Sequence, residues 1–160
     1  MEVMWAPWRM DYILGPKPDA CVFCLPESRA EDEERLVLHR GEHAFVVMNK
    51  FPYNNGHLLV APYRHTSDYI SLRPDECLEC MALTQAAIKA LARFASPEGF
   101  NMGMNLGRAA GAGVDTHLHW HIVPRWPGDA SFIAVTSETR VIPQHLTETY
   151  KALKSLFQAP

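Results

Sequence analysis

The stretch THLHWHIVPR, residues 116 to 125, alternates two kinds of residue with a strict period of two. His117, His119 and His121 fall on alternate positions, with Leu118, Trp120 and Ile122 between them. Successive side chains of an extended chain point to opposite faces, so the pattern predicts a strand over 116–125. Its imidazoles share one face and its apolar groups the other. A sheet with one side on a core and the other turned to a polar site accommodates both sets.

The rest of the chain supplies partners for such a strand. AFVVMN (44–49) and GHLLVAPY (56–63) are short apolar runs separated by KFPYNN, whose Pro and paired Asn are turn chemistry, and they predict a hairpin. SLRPDECLECMALTQAAIKALARFA (71–95) carries Leu78, Met81, Leu83, Ile88, Leu91 and Phe94 at roughly helical spacing, and predicts a helix ending near Ser96-Pro97-Glu98-Gly99. FNMGMNLG (100–107) alternates like a strand, RAAGAGVD is a loop of small residues, FIAVT (132–136) is a further apolar run, and a second helix is expected from Pro143 to Phe157. Residues 1–34, with Trp5, Trp8, Tyr12 and the run AEDEER, read as an irregular arm. The order of elements predicts an α+β fold, an antiparallel sheet with two main helices, and 160 residues at 48% hydrophobic content suit one domain over 1–160.

A net charge of −3 with scattered Lys and Arg offers no basic patch, which argues against a nucleic-acid polymer and for a small ligand. No stretch approaches the roughly 20 apolar residues of a membrane span, and MEVMWAPWRMDYILGPKPDA lacks the apolar core of a secretory signal, so a soluble cytoplasmic protein is expected. In a reducing compartment the pairs Cys21/Cys24 and Cys77/Cys80 suit metal ligation or idle thiols better than disulfides.

At roughly 3.3 Å per residue, neighbouring imidazoles of the row start about 6.6 Å apart and the outer two about 13 Å apart. One metal ion bound by all three would need a sharply bent strand. A single His there would read as an ordinary polar residue on a solvated face; three in register favour a row of donors and acceptors. Neutral imidazole, with a pKa near 6.5, can act as nucleophile, acid or base, and one ring can fix its neighbour's tautomer. Just upstream, NLGRAAGAGVDTH places Gly107, Gly111 and Gly113 where backbone amides can form an anion nest. An ordinary turn is the alternative, but the position before a possible His nucleophile points toward phosphorus chemistry.

These residues resemble the histidine triad (HIT) family of nucleotide hydrolases and transferases. The family's His-x-His-x-His followed by two apolar residues is matched by His117-Leu118-His119-Trp120-His121-Ile122-Val123, and its Gly-His-x-Leu-Val-x-Pro hallmark is matched within MNKFPYNNGHLLVAPYRH (48–65). The likeness spans about residues 21 to 126, and HLHWHIVPRW with the following GDASF is similar to a bacterial branch that includes diadenosine tetraphosphate phosphorylases.

The resemblance implies that His119 is the nucleophile forming a nucleotidyl-histidine intermediate, with His121 and His57 orienting the site. It implies Asn49 on the ribose hydroxyls, and phosphate cradled by Asn105 with the backbone of Gly111, Ala112, Gly113 and Val114. The implied substrate is an adenine nucleotide or dinucleoside polyphosphate, with water or inorganic phosphate resolving the intermediate, and the implied assembly is a homodimer. The chain departs from many members in reading Gly113-Val114 where they carry Gln followed by Ser or Thr. Asn105 also sits one residue farther from the triad than in some branches. A hydroxyl that could protonate the leaving group is thus missing, the acid stays unassigned, and Thr116 is expected to point away from the His face.

Cys21-Val22-Phe23-Cys24 is a two-thiolate hook that needs two further N or S ligands for a closed zinc site. In relatives with such a hook, the remaining ligands correspond here to His65 and His117, implying a structural Zn²⁺ that leaves His119 free. The alternative is a four-cysteine site with Cys77 and Cys80, which otherwise read as ordinary helix cysteines. His39, His43 and His145 read as surface or packing residues, and Trp120 as packing the helix. Trp126 is equally compatible with covering a base or closing the sheet edge. Two rival functions stay open, a nucleotide-binding protein without turnover and a hydrolase whose histidines hold a catalytic metal.

Overall fold

The two apolar runs of the expected hairpin pair antiparallel as β2 (Ala44–Met48) and β3 (Leu58–Pro62), and every side chain in both is buried. The computed structural model describes residues 21–129 and 144–158. Around the hairpin stand β1 (Val37–Arg40), β4 (Gly99–Gly103) and β5 (Trp120–Arg125), giving an antiparallel sheet of order β1-β2-β3-β5-β4. Among the described residues two α-helices, α1 (Pro74–Ala95) and α2 (Leu146–Gln158), pack with this sheet in an α+β fold. None of the described helices is long and apolar enough to cross a membrane.

Alternation divides the sheet into two faces. Val46, Met48, Leu58, Val60 and Ile122 join Leu83, Ala87 and Leu91 of α1 and Tyr150 and Leu153 of α2 in the larger core, with Trp120 packed against it. The indole thus lies on the helix side, as the alternation requires. Val37, Phe45, Val47, Leu59 and Ala61 point the other way and form a smaller cluster with Phe23, bordered by Cys21, Leu25 and Val114.

Helix α1 starts at Pro74 at the first turn, where the missing N–H costs nothing. Glu76 accepts the backbone N–H of Arg73 at 2.8 Å, and the helix ends at a left-handed Ser96, as the Ser-Pro-Glu-Gly stretch predicts. From the same helix Glu79 receives the backbone N–H groups of Glu42, His43 and Ala44, tying the β1–β2 turn to α1.

Three element boundaries shift from expectation, and one strand is new. The strand predicted over 116–125 begins at Trp120, the last residue paired with β3, opposite Val60; before it the chain leaves the sheet and Leu118 N–H goes to Thr66 O at 2.8 Å. The strand predicted over 100–107 runs from Gly99 to Gly103, and its last pairing, Gly103 with His121, falls one residue short of the start of β5. The second helix begins at Leu146, after the turn at His145; Pro143, the run 132–136 and residues 1–20 of the arm lie outside the described residues. Strand β1 was not anticipated, being four residues long with an irregular register between Val37 and His39.

Candidate active site

The site occupies the sheet face opposite the helices. Gly56, at a positive φ of 75°, turns the chain into β3, and a Cβ there would lie 2.9 Å from the Leu91 side chain. The next residue, His57, is fully buried and shares its face with Leu59, which pairs with His121 across the sheet. His57 and His121 are therefore diagonal cross-strand neighbours. Their rings meet through His57 Nε2 and His121 Nδ1 at 2.9 Å.

Fixed backbone partners settle which nitrogen carries each proton. The N–H of Tyr53 can only donate, and it lies 3.0 Å from His57 Nδ1. His57 therefore bears its proton on Nε2 and donates it to His121, leaving His121 with an Nε2–H. His119 Nδ1 lies 2.9 Å from the carbonyl oxygen of His117, which can only accept. Its Nδ1 is protonated and its Nε2 carries the lone pair. His117 in turn donates Nε2–H to Pro62 O at 2.8 Å, leaving Nδ1 as its donor atom for a cation.

Burial drives these rings toward the neutral form. Desolvation, aided by neighbouring imidazoles, pushes His57 down to about 3 and His121 to about 4. His117 and His119 are also lowered by burial, against the opposing effect of their backbone hydrogen bonds. At neutral pH the site holds uncharged imidazoles with defined tautomers, the state a nitrogen nucleophile requires.

Beside them, Cys21, Cys24, His65 and His117 bring their ligand atoms within 4.8 Å of one another. Cys21 Sγ is 3.4 Å from His117 Nδ1, and Cys24 Sγ is 3.3 Å from His65 Nδ1. Desolvation and the adjacent Cys21 raise the Cys24 thiol, so the two sulfurs resist ionising together without a cation between them. A mixed set of two thiols and two imidazoles suits a closed tetrahedral metal site. Cys80 is buried in the helix-side core instead, and this four-residue cluster contains neither Cys77 nor Cys80, so the four-cysteine alternative is discarded.

Asn49 touches His57 first: its Nδ2 lies 3.1 Å from His57 Nδ1, and its Oδ1 accepts the N–H of Phe51. Asn105 reaches across the glycine loop to Gly111 O at 3.3 Å. Within that loop, the amides of Gly111 and Ala112 donate to Arg108 O and Gly107 O, while the Arg108 guanidinium bonds Asp115 at 2.6 Å. Val114 packs against the small cluster below the site. Thr116 is exposed. Trp126 donates its indole N–H to Ala95 O, which favours closing the sheet edge over covering a base. His39 stacks on Phe157, His43 sits 3.6 Å from Asp75, and His145 is exposed, in keeping with packing and surface roles.

Two aromatic contributors escaped the sequence reading. Phe23, inside the cysteine hook, stacks on His119 with centroids 4.7 Å apart and planes at 29°. Tyr53 lies 4.6 Å from the His57 ring and 5.6 Å from that of His121. Phe23 between two cysteines was a visible signal; its contact across the chain was not.

The chain is similar to several known proteins. A protein of Mycobacterium tuberculosis named AP-4-A phosphorylase is 42% identical over 165 aligned positions, covering 96% of this chain and 83% of that one. The crystal structure of a Zn-bound histidine triad family protein from Mycobacterium smegmatis superposes with a TM-score of 0.66 at 27% identity, covering 87% of this chain and 94% of that one. A hypothetical histidine triad nucleotide-binding protein from Sulfolobus tokodaii strain7 gives 0.63 at 26% identity, covering 86% and 89%. The family model described as HIT domain matches residues 29–128, and this chain belongs to the HIT family.

Proposed function

We propose that this protein is an enzyme that cleaves a phosphoanhydride or phosphoramidate of an adenine nucleotide or dinucleotide, such as diadenosine tetraphosphate, through a nucleotidyl-His119 intermediate. The carrying observation is the tautomer of His119, whose Nδ1–H is held by the His117 carbonyl so that Nε2 presents a lone pair. The relative named AP-4-A phosphorylase supports the substrate class.

In the first step the Nε2 lone pair bonds to the α-phosphorus as the bond to the leaving group breaks, P–O in a phosphoanhydride and P–N in a phosphoramidate. In the second, an oxygen of water or inorganic phosphate attacks phosphorus and the N–P bond breaks. Two displacements replace one difficult transfer. The Nε2–H of His121, held in that tautomer by His57, donates to a phosphoryl oxygen, and Asn105 with the 111–114 loop receives the remaining charge once the Gly111 and Ala112 amides turn from Arg108 O and Gly107 O to the phosphate. Asn49 faces the ribose. Zinc held by Cys21, Cys24, His65 and His117 would supply a structural cross-link between the N-terminal hook and the active strand. The protein acts in the cytoplasm as a homodimer, to be tested by localisation and sedimentation.

Incubation with diadenosine tetraphosphate, with and without phosphate, tests the reading. Through the α-phosphorus, phosphorolysis yields ADP plus ATP and hydrolysis yields AMP plus ATP; two ADP would mean symmetric cleavage at a β-phosphorus and speak against this mechanism. A covalent nucleotidyl-protein should be trapped from the wild type and be absent from His119→Ala. Turnover surviving that substitution would overturn the mechanism. Gly113-Val114 before the triad keeps a second reading in play, a binding protein that holds AMP tightly without forming a phosphohistidine. Among the described residues only His117 of the triad joins the metal-capable cluster, which disfavours a catalytic ion held by the row.

A further inference from the structure

One hydrogen bond at Nδ1 leaves an imidazole free to rock about the Nδ1···O axis, and a nucleophile that rocks loses its line to phosphorus. His119 is held more firmly than that. Its Nδ1–H meets the His117 carbonyl, the His121 ring stands edge-on at 5.0 Å, and the Phe23 ring covers one face at 4.7 Å. Phe23 is only 6% exposed and also lies 5.5 Å from His117, so it fills the corner between the two imidazoles.

What holds Phe23 is the hook around it. The turn closed by Cys24 N–H on Cys21 O drives the aromatic ring inward, toward Val37, Phe45 and Leu59. Both flanking sulfurs face the histidines of the metal-capable cluster. Downstream the segment is tied to β1 by Arg40, which donates to Pro26 O and Ser28 O and pairs with Asp32.

We infer that Phe23 is a positioning residue for the nucleophile, and that the Cys21/Cys24 hook couples metal occupancy to the alignment of His119. The metal cluster then acts on the reaction through a ring of the protein, without touching substrate. The inference rests on the reading of His119 as nucleophile. A displacement of about 1 Å at a reacting group can cost on the order of 100-fold in rate, which sets the scale of the effect.

The test combines kinetics with a spectroscopic signature. Protons of an imidazole stacked on a benzene face resonate upfield, and the His119 ring signals can be assigned by their loss in His119→Gln. In metal-loaded Phe23→Leu, these signals should move downfield and kcat on diadenosine tetraphosphate should fall roughly 10- to 100-fold, with KM nearly unchanged and full metal content. Phe23→Tyr keeps the ring and should restore both. Chelating the wild-type metal should move the same signals in the same direction. The proposal is overturned if Phe23→Leu retains kcat, if the loss falls on KM alone, if Phe23→Tyr is as impaired as Phe23→Leu, or if chelation leaves the signals in place. Should Phe23→Leu not fold, Phe23→Tyr and the chelation experiment decide. Should the wild type not turn the dinucleotide over, the functional reading fails separately, and the signals alone decide whether Phe23 and the hook fix the ring.

Discussion

The Nε2–H of His57 is donated to Nδ1 of His121 over 2.9 Å, joining residues 64 positions apart in the chain. This bond leaves His121 with its proton on Nε2. Replacing His57 with Ala removes the ring that sets the tautomer. We expect kcat to fall roughly 10- to 100-fold with KM little changed, the pattern of a donor that matters most at the transition state. The buried vacancy should also lower stability by about 2–4 kcal/mol. Steady-state kinetics on folded protein, checked by circular dichroism, tests this; rates within twofold of wild type would show that His121 needs no such lock.

The same buried pair predicts acid sensitivity. His57 titrates near 3 and His121 near 4 in the folded protein, both below the roughly 6.5 of an unfolded chain. Between these values the unfolded state binds more protons than the folded one. The stability these rings contribute is therefore complete above about pH 6.5 and is lost as pH falls toward 4. Two protons taken up on unfolding give a slope approaching about 2.7 kcal/mol per pH unit. Urea unfolding from pH 7.5 to 4.5 should show the loss beginning near 6. The window separates it from Glu76, held down to about 2 chiefly by the Arg64 hydrogen bond, which gives up its contribution only below about pH 4.5. A flat profile down to pH 5 would mean that the histidines are protonated in the fold.

The sequence revealed features whose cause is local. The hairpin follows from two short apolar runs and the turn residues between them, α1 from a period of 3.6, and the placement of Trp120 opposite the histidines from a period of two. Strand β1 was hidden because VLHR is too short to display an alternation. The start of β5 at Trp120, not Thr116, goes with Leu118 giving its N–H to Thr66 O and not to a sheet partner, a contact that no residue of β5 encodes. In the site, the spacing of the histidines was legible and so was their supply of ligands. The Phe23 stack on His119 and the Tyr53 N–H that sets the His57 tautomer were not, since each depends on how distant segments or a turn come to rest.

Arg64 and Glu76 supply a test of how the loop bearing His65 is held. The Arg64 guanidinium reaches both carboxylate oxygens of Glu76, at 2.9 and 2.8 Å, and the Ser71 carbonyl at 2.7 Å; the carboxylate itself is almost completely buried. Replacing Glu76 with Ala removes the partner of Arg64 and of the Arg73 N–H. About 1–3 kcal/mol of stability should be lost, since the Arg73 N–H at the helix start loses its acceptor while the Arg64 guanidinium, 35% exposed, can turn to solvent. Arg64 adjoins His65, so metal affinity should fall as well. Denaturant unfolding and a competitive zinc titration measure the two effects. Lost stability with unchanged affinity would show that His65 is placed independently of this ion pair.

Removing the metal should loosen the connection between the cysteine hook and His117 more than it disturbs the two-helix core. Cys21 and Cys24 meet their histidine partners on the sheet face opposite α1, whereas Leu83, Leu91 and Leu153 pack on the other side. A ligand bound only by the folded state at about 1,000 times its Kd adds roughly 4 kcal/mol. For a chain of this size that corresponds to a rise of about 8–16 °C in Tm. Chelation of zinc-loaded protein should therefore lower Tm by an amount in that range while the far-ultraviolet circular dichroism at 20 °C stays nearly unchanged. Cys24→Ser should reproduce the lower Tm and abolish stoichiometric zinc. Cys77→Ser should retain the metal, because this thiol lies on α1 and outside the four-ligand cluster. Zinc lost with Cys77→Ser but kept with Cys24→Ser would relocate the site to the helix and undo the link drawn between the hook and the active strand.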